Sequence, residues 1–144
     1  MIMTEQWTVT LLEGSIAWSD DWTPETRRVD IDAELLREII ELDAGDHSLF
    51  RTLVDMFRHD TEVHLPLLEQ AASSGDIATL SNLGHSLAGE AAQIGASSLA
   101  VHCRAIESAG LRGDFKRCAR LVETFVEHLD QFVVAVETEL ERRS

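Results

Sequence analysis

Leu83-Gly-His85-Ser-Leu-Ala-Gly89-Glu-Ala-Ala-Gln-Ile-Gly95-Ala-Ser-Ser-Leu99, running on to Cys103, Ile106 and Glu107, decides the reading of this chain. Leu80, Leu83, Leu87, Ala91 and Ile94 recur at helical spacing and define one buried stripe. At about 100° per residue, His85 falls roughly 200° from Leu83 and points away from that stripe. Ser81, Ala88, Gly89 and Ala92 are its expected neighbours on the outward face. Glu90 is the only charged residue between Ile77 and Ala96. An ordinary solvent face carries Lys and Glu. This one carries a histidine in a clearing of small side chains. Gly84 and Gly89 each cost about 1 kcal/mol against Ala inside a helix, so something other than helix stability keeps them. A glycine one turn beyond the histidine leaves room over the ring for a large group and a second protein.

The flanks extend the helical pattern. Asp30 is the expected cap of a first helix through Ile31, Leu35, Leu36, Ile39 and Ile40, stopped by Gly45. Asp46 is the expected cap of the next, which carries Leu49, Phe50, Leu53, Phe57, Val63, Leu67 and Leu68 and is bent by Pro66. Gly75-Asp76 and Gly113-Asp114 read as stop-and-cap pairs. Leu99, Cys103, Ile106 and Gly110 share one face after Gly95. Leu121, Phe125, Leu129, Phe132, Val136 and Leu140 line the last helix. Long amphipathic helices joined by short turns pack antiparallel, which predicts an all-α helical bundle over residues 30–144. No strand is expected after Val29. Residues 1–29 form a Trp-rich N-terminal extension with Trp7, Trp18 and Trp22. Three indoles are too apolar to leave in water, so this segment is expected to pack on the bundle or a partner. Trp7, Val9 and Leu11 alternate like a strand, without an evident partner strand.

The spacing His85-Ser-Leu-Ala-Gly89, then Gly95-Ala96, Leu99, Cys103 and Ile106-Glu107, resembles the signature of histidine phosphotransfer domains. That signature reads His-x-Leu-Lys-Gly, then Gly-Ala, Leu, Cys and Leu-Glu. The resemblance runs from about Val29 to Leu140 and takes in Phe57. It implies an antiparallel four-helix bundle with an extra N-terminal helix across it. It implies that His85 accepts a phosphoryl group from an aspartyl phosphate on a receiver domain and returns it to another. The implied partners are receiver domains of response regulators or hybrid histidine kinases. Mg²⁺ then belongs to the receiver, and no cofactor of the chain's own is expected. Glu107 takes the place of the acid or amide that holds the inner ring nitrogen. The sequence departs at Ala88, where the family has Lys. Arg104 is the candidate substitute for that charge. The alternative function is a degenerate adaptor that keeps the docking face without efficient transfer.

Composition limits the remaining classes. The formal net charge is −14 over 144 residues, which argues against nucleic acid and anionic membrane as partners. That charge is uneven: residues 30–62 carry ten acids and three bases, whereas Glu90, Arg104, Glu107 and Arg112 balance across residues 77–113. No apolar run approaches a membrane span, and no signal-peptide pattern opens the chain, so the expected compartment is the cytoplasm. Cys103 and Cys118 lack disulfide-scaffold or zinc spacing, and Cys103 is expected in the core. His47, His59, His64, His102 and His128 form no Glu-x-x-His pattern and are expected at the surface. No Walker A loop is present, so an autonomous kinase is not expected.

Overall fold

The computed structural model describes residues 7–13, 22–43, 45 and 47–143. Five helices follow a short two-stranded sheet: β1 (Thr8–Leu12), β2 (Arg28–Asp32), α1 (Ala33–Leu42), α2 (Ser48–Ser74), α3 (Ile77–Gln93), α4 (Ser97–Leu111) and α5 (Phe115–Arg142). A single 3₁₀ turn, Pro24–Thr26, precedes β2. The fold is all-α in class: α2 to α5 form the bundle and α1 is the extra helix. Phe50, Leu68, Leu80, Leu87, Leu99, Ile106, Phe125 and Phe132 are fully buried at its centre.

Local chemistry explains the helix ends. Gly75 adopts φ 76° and closes α2 by donating to Ala71 O at 2.9 Å. Asp76 then accepts from Thr79 N at 3.1 Å, and its carboxyl is held low by those Thr79 hydrogen bonds. Gly113 and Asp114 repeat the device before α5, where Asp114 accepts from Arg117 N at 3.2 Å. α2 continues unbroken through Pro66.

The start of the chain differs from the sequence expectation. Asp30 does not cap a helix; it lies inside β2, and Asp32 caps α1 by accepting from Leu35 N at 3.0 Å. Strand β1 does have a partner, since it pairs in parallel with β2 from Thr8–Arg28 to Leu12–Asp32. The reason lies in Val29-Asp30-Ile31-Asp32, which alternates apolar and polar and buries Val29 and Ile31 completely. Ile31 also bridges Ala96, and Asp32 N donates to Gly95 O at 2.8 Å. The strand is thereby tied to the turn between α3 and α4. His47 stands at the N-cap of α2, and Asp43 accepts from Leu49 N of its first turn at 3.0 Å. Asp46, Gly14 and Trp18 lie outside the described residues.

Both cysteines are free and buried, and burial pushes the Cys103 thiol far up. Among the described residues, no helix is long and apolar enough to cross a membrane.

Candidate functional site

His85 stands at the middle of α3, and its side chain is 81% exposed. Its Nδ1 faces Glu107 Oε2 of α4 at 3.6 Å, an electrostatic contact just beyond hydrogen-bond length. Glu107 is half-buried and fixed by the packing of α4. Nε2, on the opposite edge of the ring, meets no protein partner among the described residues. The arrangement leaves one ring nitrogen oriented and the other open.

The two glycines flanking His85 serve different ends. A Cβ on Gly84 would sit 3.0 Å from Cys103 O and 3.1 Å from Glu107 N and Cβ. One on Gly110 would sit 2.9 Å from Leu80 Cβ. These glycines let α3 and α4 approach closely, and that approach brings Glu107 under His85. Gly89 has nothing within 4 Å of where its Cβ would be. That open space lies one turn beyond His85.

Ala88 is not on the outward face. It is 2% exposed and belongs to the core. Helix α3 is covered on two sides, by α2 and by α4, so the buried arc is wider than one stripe. Ala88 falls on the α4 side of it with Gly84. Arg104 is exposed on α4, one turn before Glu107.

Glu90 faces Asp60 of α2. Its Oε2 is buried without a partner. Burial first, then the charge and hydrogen bond of Asp60 on α2, hold its carboxyl above the usual range, while His64 pulls the other way. On the same helix Met56, Val63 and Leu67 are 60%, 54% and 47% exposed. Val63 and Leu67 therefore do not line the core. Their spacing puts them with Met56 on one ridge of α2.

Sequence reasoning missed three histidines. His47, just ahead of α2, is buried at 8% exposure rather than superficial. His102 and His128 are completely buried, not superficial. Their ring nitrogens meet at 3.1 Å, and Trp7 and Trp22 stack on His128 at centroid distances of 5.0 and 4.8 Å. The signal was present: His102 lies between Leu99 and Ile106, and His128 between Phe125 and Phe132, each on its helix's apolar stripe. Among the described residues, no group of three His, Cys, Asp or Glu is placed to hold a metal.

Comparison with known proteins bears on this geometry. A family model described as Hpt domain matches residues 52–142. The crystal structure of histidine-containing phosphotransfer protein B (HptB) from Pseudomonas aeruginosa PAO1 is similar, with TM-score 0.65 and 28% sequence identity. The match covers 78% of this chain and 95% of that one. No curated protein matches the chain in sequence.

Proposed function

The chain belongs to the Hpt domain family, the histidine phosphotransfer modules of phosphorelays, and from that premise we propose that it is a relay intermediate modified on His85. The observation that carries this reading is the exposed ring beside Glu107, with the open space of Gly89 one turn beyond it. With Nδ1–H turned to the Glu107 carboxylate, the Nε2 lone pair is the nucleophile. It attacks the phosphorus of a receiver's aspartyl phosphate. An N–P bond forms as the P–O bond to the aspartyl group breaks, and the carboxylate leaves with the electron pair. The Nδ1 proton stays, and the positive charge on the ring is offset by Glu107. Such a transfer rests on positioning and charge stabilisation, so the chain requires no base of its own and no nucleotide site. Mg²⁺ is assigned to the receiver. Met56, Val63 and Leu67 offer the receiver an apolar ridge beside the acceptor helix. The chain acts as a carrier rather than a kinase, in the cytoplasm where receivers reside.

The test is to mix the full chain with a phosphorylated receiver domain and Mg²⁺. Acid-labile, base-stable phosphate on His85, located by mass spectrometry, is the expected result. A chain that binds receivers but never labels is the adaptor instead.

The Ala88 position gives a second expected outcome. A lysine there starts inside the α3–α4 seam and must run its stem out to water. Ala88→Lys should therefore cost about 1–3 kcal/mol of stability by overpacking. Any gain in transfer should stay within a few-fold, because an exposed charge pair is worth under about 1 kcal/mol. If Arg104 supplies the compensating charge, Arg104→Ala slows transfer and Ala88→Lys partly restores it. Thermal melts and single-turnover transfer measure both.

A further inference from the structure

The buried histidine pair forms a directed hydrogen-bond chain. His102 Nε2 lies 2.7 Å from Leu121 O, a carbonyl that can only accept, so Nε2 carries the proton. His102 Nδ1 is then an acceptor, and His128 Nδ1 donates to it at 3.1 Å. His128 Nε2 is left as an acceptor for the Ser98 hydroxyl at 2.8 Å. Ser98 Oγ in turn accepts from the backbone N–H of Asp30 at 2.9 Å. Every ring nitrogen is used, and both rings are neutral.

This chain holds the start of the polypeptide. Asp30 belongs to β2. Trp22 is 4% exposed, stacks on His128 and donates from Nε1 to Arg28 O at 2.6 Å. Trp7, next to β1, stacks on the other side of the cluster and donates to Glu127 at 3.3 Å. We propose that the His102–His128 pair is an acid-released latch, which keeps Trp7, Trp22 and the β1–β2 sheet docked on α4 and α5 while neutral and lets them go when protonated.

The geometry gives the reason. One added proton, on either ring, ends with a proton on His128 Nε2 and strips the Ser98 hydroxyl of its acceptor. A second leaves two N–H groups pointing at each other across 3.1 Å. The surrounding charges do not rescue the cation. On the 3₁₀ turn Glu25 favours a charged His102, but Arg117 of α5 opposes it. On β2, Asp30 is already paired with Arg28 at 2.6 Å. On α5, Glu127 is taken by Trp7 and by Arg27 from beside the turn. Stacking on two indoles favours an imidazolium, but only modestly against full burial. Accordingly burial brings His102 down to about 4 and pushes His128 well below its ordinary value, with His102 adding to the effect on His128. Protons are therefore bound more strongly in the released state. The docked form loses ground once pH falls below about 6.5, by up to tenfold per pH unit for each histidine, until the docked pKa is reached.

The experiment follows the full ¹⁵N-labelled chain by NMR from pH 7.5 to 4. The expected result has three parts. At pH 7.5 His102 is protonated at Nε2 and His128 at Nδ1. On acidification the indole N–H signals of Trp7 and Trp22 and the protection of β1–β2 amides disappear while helical circular dichroism persists. In the double variant H102Q/H128Q, in which glutamine keeps a donor for Leu121 and an acceptor for Ser98, that step disappears. Rings that titrate near 6.5 with the indole signals unmoved overturn the proposal. So does loss of indole and helix signals at the same pH. An unchanged acid step in the double variant assigns it to another group and also overturns the proposal. If the double variant fails to dock, the ring titration and the order of signal loss in the wild type decide.

Discussion

His85→Gln is expected to abolish phosphoryl labelling of this chain and to leave its fold in place. The two halves of that expectation come from the same geometry. The side chain is 81% exposed, and its ion-pair contact is with Glu107 at 3.6 Å. Removing an exposed side chain with so little packing changes stability by no more than about 0.5 kcal/mol. Glutamine retains an amide N–H that can still face Glu107, which spares that carboxylate an empty neighbour. What it lacks is a nucleophilic ring nitrogen. The other exposed histidine on a helix, His59, lies on α2, which holds no glycine to clear space over its ring. His102 and His128 are sealed inside. Labelling by a phospho-receiver should therefore fall to background, with the helical circular dichroism and melting temperature retained. Unchanged labelling moves the acceptor to another histidine. Loss of helical signal makes His85 structural.

Much of this architecture was legible because the signals are local. A glycine at positive φ followed by an aspartate cap, as at Gly75-Asp76 and Gly113-Asp114, needs only its neighbours to work. The long helices needed only their periodicity. The start of the chain was less legible. Val29-Asp30-Ile31-Asp32 is too short to separate a strand from the first turn of a helix that continues through Leu35 and Leu36. Its partner strand is separated from it in sequence by residues 13–27. The histidine pair was hidden for another reason. Residue type argued for the surface, while position on the apolar stripe argued for the core. Position won because each ring satisfies the other, and no single-residue rule contains that exchange. Ala88 misled because a wheel drawn against one stripe assumes one buried face. Helix α3 has neighbours on two sides.

Gly84 and Gly89, five residues apart on one helix, should respond to substitution in opposite ways. At Gly84 an added Cβ meets Cys103 O at 3.0 Å and Glu107 N at 3.1 Å. Backbone atoms cannot step aside, so α3 and α4 must separate. Replacing the glycine contributes about 1 kcal/mol through helix propensity. Separating two packed helices costs about 1–3 kcal/mol and outweighs it. Gly84→Ala should therefore lower the urea midpoint, and it should also loosen the Glu107–His85 contact that depends on this approach. At Gly89 the same helix has open space, with nothing within 4 Å. Gly89→Gln should hold or raise the melting temperature. Its side chain, one turn beyond His85, fills the volume that an approaching receiver needs. A clash near the centre of a docking face typically costs at least about 2 kcal/mol, or some thirtyfold in affinity. Calorimetry against a receiver domain and chemical denaturation of both variants separate the two effects. Equal receiver affinity in Gly89→Gln removes this face from the interface. Equal stability in Gly84→Ala shows that the α3–α4 seam yields, and that Glu107 is held under the ring by something other than the closeness of the helices.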